Sequence, residues 1–211
     1  MYGSLQKTYE AGPGNRLAAR GGEGTVIQAR FAGSGGQGIQ FAGSVLAEAA
    51  AVYEGHNTVQ VSSFGPEARG GSTKCDVLIS SRTIYYPRAR SLDVFLAMNQ
   101  KSSDRYYADL KEHGCFVIDS GSVSAAAELD AIGFPITQVA LEEIKNVITA
   151  SMIGLGIVVG LTKIVSDEAV IKALMDRTPP RVAEINRQAL ERGLKMGSRA
   201  RRSVRPHVLH A

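Results

Sequence analysis

"FAGSGGQGIQFAGSVLAEAA", residues Phe31 to Ala50, places a cluster of glycines after an apolar run and before a helix-like stretch. Four glycines stand within its first eight residues. The preceding stretch TVIQARFA (Thr25 to Ala32) is apolar enough to be a buried strand, and the following run, Ile39 to Gly55, is rich in Ala, Leu and Glu. This order predicts a strand that enters a glycine turn and continues into a helix.

The turn matches G-x-G-x-x-G through Gly33, Gly35 and Gly38. Glycine allows close backbone approach to a ligand, and the free N–H groups at a helix start attract anions. A dinucleotide site would also need an acid about 20 residues on, where the chain has Ser62 and Ser63. No Lys-Ser or Lys-Thr pair follows the loop, which excludes a Walker A motif. The candidate anion-binding residues are Gly33, Gly35, Gly36, Gln37 and Gly38.

A second glycine cluster, FGPEARGGST, spans Phe64 to Thr73. Arg69 stands beside Gly70 and Gly71, and a guanidinium on flexible backbone can hold a carboxylate or phosphate with two hydrogen bonds. The alternative is a turn in which Arg69 pairs with Glu67 or with a neighbouring chain.

Strands alternate with helices through the first two thirds of the chain. We expect strands at NTVQVSSF, KCDVLISS (half-buried), LDVFLAM, CFVIDS and FPITQVA, a hairpin from Ser81 and Arg82 onto TIYYP, and a helix over SSDRYYADLKEHG ending at Gly114. Asp93 and Asp119 stand at strand ends and are interpreted as structural. The predicted fold class is α/β: a largely parallel, Rossmann-like sheet with flanking helices and the glycine-rich loop after its first strand.

The final third is predicted to be helical. The stretch from Asn146 to Thr162 is uncharged but shorter than a bilayer requires, so we interpret it as a buried helix, packed partly on a partner or a second copy. Ser166 is expected to cap the next helix. Pro179 and Pro180 open the last one, which is expected to end at Gly193 or Gly197.

Charge and composition suggest three regions: a flexible N-terminal arm (1–24), one domain (25–197) and a basic C-terminal tail (198–211). The tail carries four arginines and no acid; without these arginines the chain holds 20 basic and 20 acidic residues. No aromatic residue accompanies them, so nucleic acid is not an expected partner. The N-terminus has no continuous apolar segment, and two cysteines without C-x-x-C spacing indicate free thiols in the cytoplasm.

Together the two glycine clusters, LDVFLAMNQ, GCFVIDS, NVITASMIGLG and EINRQALERG resemble the gamma subunit of 2-oxoacid:ferredoxin oxidoreductases, the family that acts on pyruvate, 2-oxoglutarate and ketoisovalerate. The resemblance covers about residues 29 to 197. The sequence FGPEARGG resembles the 2-oxoglutarate branch more than the indolepyruvate branch. Aromatic 2-oxoacids are the alternative substrate class.

The resemblance implies a thiamine diphosphate-dependent complex that oxidatively decarboxylates a 2-oxoacid to an acyl-CoA and passes electrons to ferredoxin or NAD. Two cysteines cannot supply the four thiolates of a [4Fe–4S] cluster. Thiamine diphosphate, Mg²⁺ and the clusters are therefore expected on alpha, beta and ferredoxin-like delta partners, with no catalytic or metal-binding residue in this chain. The other readings are a stand-alone Rossmann-like nucleotide-binding module and a non-catalytic scaffold.

Overall fold

A six-stranded sheet forms the centre of the molecule, in the order β2-β3-β1-β4-β5-β6. The structure, a computed structural model, describes residues 25–63, 72–124 and 130–202. The strands are β1 (Val26–Ser34), β2 (Asn57–Ser63), β3 (Ser72–Ser80), β4 (Leu92–Ala97), β5 (Leu110–Asp119) and β6 (Ile132–Phe134). The helices are α1 (Ile39–Glu48), α2 (Gln100–Tyr106), α3 (Ile136–Glu142), α4 (Ala150–Thr162), α5 (Asp167–Arg177) and α6 (Pro180–Arg201).

The α/β class is confirmed, and the sheet is mixed. β1, β4, β5 and β6 are parallel to one another, whereas β3 runs antiparallel to both β1 and β2. The reason lies in the connection from Ser63 to Ser72, because a parallel return needs a crossover of about a dozen residues or more. With a shorter connection β3 runs antiparallel to β2, and β3 then lies beside β1.

Each face of β1 contributes to a different part of the core. Ala29 and Phe31 point into the larger part, beneath α1 and α4. The opposite face is packed around Phe95 and Phe116, whose rings stack with centroids 5.1 Å apart. Because both faces are covered, β3 is buried apart from Lys74, and the expectation of a half-buried strand there is wrong.

Helix α4 is buried along its whole length, as predicted, and its closest neighbour is α6 of the same chain. A Cβ added to Gly156 would lie 2.2 Å from the Leu190 carbonyl oxygen, and one added to Gly193 would lie 2.1 Å from that of Ile153. Backbone therefore packs directly on backbone where the two helices cross. The expected burial does not extend to Val147 and Ile148, which are exposed in the short 3-10 turn before α4.

Several expected elements take another form. The hairpin onto TIYYP is absent from residues 81–91, which are irregular, because β3 already has β1 and β2 as neighbours. The helix expected to end at Gly114 stops at Tyr106, and Leu110 pairs with Leu92 in the sheet instead. In the segment FPITQVA only Phe134 belongs to a strand, as the last residue of β6. From Ile136 onward the segment is helix α3, which buries Ile136, Val139 and Ala140 on one side.

The helix ends are partly as predicted. The Ser166 side chain accepts a hydrogen bond from the backbone N–H of Ala169 and so caps α5. Helix α1 is followed by a π-helical turn, Ala49–Tyr53, that completes the helical stretch expected as far as Gly55. Helix α6 continues to Arg201, beyond the expected end at Gly193 or Gly197, and Lys163 contacts its last turn through the Ser198 hydroxyl (3.3 Å).

Candidate functional site: the glycine-loop edge of the sheet

One edge of the sheet carries both glycine clusters found in the sequence. Strand β1 ends there at Ser34, and β3 begins there at Ser72, which is paired with Ser34. Strand β2 ends at the same edge, where Ser63 is paired with Lys74. The three predicted residues of the second cluster lie outside the described residues, but both flanks of that segment are at this edge. The described flanks of the second cluster, Ser63 and Ser72, lie at the edge that carries the glycine loop, and the position of Arg69, Gly70 and Gly71 themselves stays a prediction.

The glycine loop passes from a buried strand end to an exposed turn. Gly33 is buried and paired with Thr73, whereas Gly35 and Gly36 are exposed. Gly38 has a φ of +75° and stands directly before α1. A Cβ at Gly38 would lie 2.4 Å from the Ser151 hydroxyl oxygen of α4, so both its backbone conformation and this contact require glycine.

Gln37 stabilises the loop through two hydrogen bonds with Ser34. Its side-chain oxygen accepts a hydrogen bond from the Ser34 N–H (2.6 Å), and its own N–H donates to the Ser34 carbonyl oxygen (3.2 Å). This pair of bonds fixes the turn. Helix α1 begins with no side chain of the described residues capping it, so its first-turn N–H groups have no side-chain partner among those residues. Such an uncapped helix start favours a bound anion.

A chain of polar side chains supports the loop from below. Asn99, just after β4, donates to the Ser34 hydroxyl (2.7 Å) and accepts from the Ser102 N–H (2.8 Å). The hydroxyl groups of Ser102 and Ser72 are 3.0 Å apart, and both residues are buried. The ends of β1 and β4 and the start of β3 are thus tied together. Sequence reasoning missed this network, although an Asn that ends a buried strand three residues before a Ser is a helix-capping signal.

The two aspartates at strand ends have hydrogen-bond or ion-pair partners within the fold, which fits the structural interpretation. Asp119 is fully buried and accepts hydrogen bonds from Ser122 and Thr137 at the start of α3. Asp93 lies at the opposite edge of the sheet, where it accepts from the Gln28 N–H (2.8 Å) and pairs with Lys111. Neither carboxylate lines the glycine loop.

The cysteines are placed far from the loop and from each other. Cys75 lies on β3 and Cys115 on β5, with β1 and β4 between them, and both are buried. Burial raises the pKa of the Cys75 thiol, which disfavours the reactive thiolate. In residues 25–63, 72–124 and 130–202, no group of three or more His, Cys, Asp or Glu side chains could hold a metal ion. No helix in those ranges is long and apolar enough to cross a membrane.

The strand order differs from that of a dinucleotide-binding domain. In that fold the strand after the glycine-loop helix returns next to the first one, and its terminal acid meets the ribose. Here β3 lies between β1 and β2, so Ser63 is two strands, or about 10 Å, away from β1. Topology and the missing acid both argue against a nicotinamide dinucleotide at Gly33 to Gly38.

Comparison with known proteins shows which family the chain belongs to. The family model for pyruvate ferredoxin/flavodoxin oxidoreductase matches residues 28–196. The chain belongs to this family. It is 40% identical over 171 residues to 2-oxoglutarate synthase subunit KorC of Methanocaldococcus jannaschii, a match covering 79% of this chain and 91% of that protein.

Two solved structures of the family share the fold. One is the gamma subunit of a keto/oxoacid ferredoxin oxidoreductase from Geobacter sulfurreducens, with a TM-score of 0.72, 38% identity, and coverage of 82% of this chain and 99% of that one. The other is 2-oxoglutarate:ferredoxin oxidoreductase from Magnetococcus marinus with 2-oxoglutarate, coenzyme A and succinyl-CoA bound. Its TM-score is 0.74 at 27% identity, and the match covers 82% of this chain and 31% of that chain. The resemblance seen in the sequence is confirmed.

Proposed function

We propose that this chain is the gamma subunit of a thiamine diphosphate-dependent complex that oxidatively decarboxylates a 2-oxoacid and transfers the acyl group to coenzyme A. The observation that carries the proposal is its similarity to a 2-oxoacid ferredoxin oxidoreductase gamma subunit over nearly the whole of that protein. The identity to 2-oxoglutarate synthase subunits favours a substrate like 2-oxoglutarate over an aromatic 2-oxoacid. The electrons pass to ferredoxin or to NAD.

The redox cofactors belong to other subunits in this proposal. The whole chain has two cysteines, both buried and three strands apart, so its residues do not fit a [4Fe–4S] cluster. Thiamine diphosphate, Mg²⁺ and the clusters are assigned to alpha and beta subunits and a ferredoxin-like delta subunit. We place the complex in the cytoplasm.

The contribution of this chain is the glycine-loop edge. The uncapped start of α1 and the exposed backbone of Gly35 and Gly36 suit a phosphate or carboxylate, either of coenzyme A or of the 2-oxoacid. The segment that contains Arg69, Gly70 and Gly71 is anchored at the same edge by Ser63 and Ser72. In this assignment the edge faces the active site formed with the alpha and beta subunits.

Co-expression tests the subunit assignment. The chain is produced alone and with the alpha, beta and delta genes, and viologen reduction is measured with 2-oxoglutarate, with an aromatic 2-oxoacid and without coenzyme A. We expect activity only in the complex and only with coenzyme A, and a colourless isolated chain. Stoichiometric iron in the isolated chain, or full activity of a complex that lacks this chain, would overturn the proposal.

Arg69→Ala in the assembled complex tests the ligand assignment at this edge. Losing a charge-assisted hydrogen bond costs roughly 1.5–3 kcal/mol, which corresponds to an increase of about ten- to a hundred-fold in the KM for coenzyme A or for the 2-oxoacid. Arg181→Ala, an exposed arginine at the start of α6, is the matched control. Normal kinetics with both substrates, or a complex that dissociates on gel filtration, would remove Arg69 from the ligand site.

A further inference from the structure

The connection between β3 and β4, residues 81–91, presents an aromatic and basic surface at the edge of the sheet opposite the glycine loop. Strand β3 has nine residues and starts at the glycine-loop edge, so its far end is roughly 27 Å away at about 3.4 Å per residue. Tyr85 is 91% exposed and Tyr86 is 52% exposed. We call residues 81–91 the tyrosine–arginine segment.

The segment carries only positive charge. Arg82, Arg88 and Arg90 are exposed, and no acid occurs between residues 81 and 92. The next acid along the chain, Asp93, is buried and paired with Lys111, so it does not offset the charges of Arg88 and Arg90. Exposed charge of one sign favours a partner surface of the opposite sign.

Hydrogen bonds with β1 side chains hold the C-terminal end of the segment in place although it has no regular secondary structure. The Gln28 side-chain oxygen accepts from the backbone N–H groups of Arg90 (2.8 Å) and Ser91 (3.2 Å). The buried Arg30 donates to the Ala89 carbonyl oxygen (3.4 Å), and its guanidinium is fixed in turn by Asp76. These contacts attach the C-terminal end of the segment to the sheet.

One pair of exposed side chains is in contact within the segment. The Arg90 guanidinium lies 5.1 Å from the centre of the Tyr86 ring, within the range of a cation–π contact. Ile84 packs against the smaller part of the core, which leaves Tyr85 to project outwards. Tyrosine and arginine are the residue types that contribute most binding energy at protein interfaces, and a pre-ordered surface loses little entropy on association.

We propose that the tyrosine–arginine segment docks onto an acidic surface of another subunit of the same complex, with Tyr85 as its central contact. This inference rests on the proposed function, because it requires the chain to be a subunit. A protein surface is favoured over nucleic acid because apart from its C-terminal tail the chain carries no net charge, whereas nucleic-acid binding usually spreads basic residues over a wider surface.

Titration of the purified chain onto the remaining subunits tests the assignment. Arg88→Glu with Arg90→Glu reverses two charges, and Tyr85→Ala removes the aromatic contact. Arg181→Glu with Lys195→Glu makes the same charge change on exposed positions of α6 and serves as the control. Affinity is measured at about 50 mM and about 500 mM NaCl, which changes the range of electrostatic interactions several-fold. Circular dichroism confirms that each variant is folded.

We expect Tyr85→Ala to weaken assembly about tenfold and the double arginine variant to weaken it at least tenfold at low salt and to lose most of the salt dependence. The KM for coenzyme A in complexes that do assemble should stay unchanged. Equal affinity of wild type and both variants would overturn the inference while leaving the subunit assignment intact. If the variants bound RNA or anionic vesicles more weakly than wild type while assembly was unaffected, the segment would be assigned to those ligands instead. A wild-type chain that does not bind the other subunits would overturn the proposed function as well.

Discussion

The crossing of α4 and α6 and the loop between β1 and α1 both contain closely spaced glycines, but the surroundings of these glycines differ. At the crossing, the space of each missing Cβ is filled by the other helix: Gly160 faces the Leu194 carbonyl oxygen and Gly197 faces that of Ile157. In the loop, Gly38 has a similarly close contact with the Ser151 hydroxyl, whereas a Cβ added to the exposed Gly36 would have nothing within 4 Å. Glycine spacing therefore does not by itself identify a ligand site; the surroundings of each glycine do.

Gly156→Leu has the largest expected effect. Its Cβ would meet the Leu190 carbonyl oxygen at 2.2 Å, and helix backbone cannot turn aside as a side chain can. We expect a loss of about 3 kcal/mol in the free energy of unfolding, which lowers Tm by roughly 6–12 °C in a domain of this size. Thermal and urea unfolding of the isolated chain measure it.

The control for that change is Gly154→Ala on the same helix. There the added Cβ would approach the end of the Leu96 side chain (2.7 Å), which can rotate away. A cost of about 1 kcal/mol or less is expected. If Gly154→Ala destabilised the chain as much as Gly156→Leu, direct backbone contact would not be what makes the crossing sensitive.

Gly38→Ala should have the next largest effect. A non-glycine residue at a φ of +75° costs about 1–2 kcal/mol, and the new methyl group would also displace the Ser151 hydroxyl. We expect about 2 kcal/mol or slightly more in total. Adding Ser151→Ala should restore the stability lost through the contact but not the stability lost through the backbone conformation. A double-mutant cycle separates the two losses. Strict additivity of the two variants would contradict the contact.

Gly36→Ala isolates the backbone part alone. Its φ is +88°, but the position of the added methyl group is open, so a loss of about 1 kcal/mol in unfolding free energy is expected. Urea unfolding compares it directly with Gly38→Ala. Equal losses for the two variants would mean that the contact with α4 adds nothing to the glycine requirement at Gly38.

Truncation after Arg202 is expected to have the smallest effect, because helix α6 ends at Arg201. Specific activity of the complex and Tm of the chain should both stay close to wild type. Truncation after Gly197 removes Ser198 and its bond to Lys163, and should lower Tm by a few degrees. Loss of activity in an assembled complex truncated after Arg202 would give the basic tail a role in turnover or in binding the electron acceptor.

The helices of the final third could be predicted because their signals are local. An uncharged run sets α4, a serine followed by two acids sets the start of α5, and a proline pair sets the start of α6. Helix α3 was missed although Ile136, Val139 and Ala140 have helical spacing. Its three apolar positions also fit a short strand, and periodicity does not separate the two in so short a segment.

The sheet was harder to predict because pairing is decided between distant residues. Nothing local in TIYYP shows that β3 is already flanked on both sides, and nothing in SSDRYYADLKEHG shows that Leu110 has a partner in Leu92. The glycine loop itself was predicted correctly as a strand, turn and helix. Its supporting residues were not, because Asn99 and Ser72 approach Ser34 only through the sheet.

The position of β3 also has a consequence for how the chain folds. Strands β2 and β3 are neighbours in both sequence and sheet, so their pairing closes a short loop at low entropic cost. Strand β1 pairs with β3 and β4, which both come several dozen residues later. We therefore expect a β2–β3 hairpin to form early and β1 to be inserted late, since contacts distant in sequence form slowly. During synthesis β1, which leads into the glycine loop, emerges before its partners β3 and β4. It can take its position in the sheet only after both of them have been made.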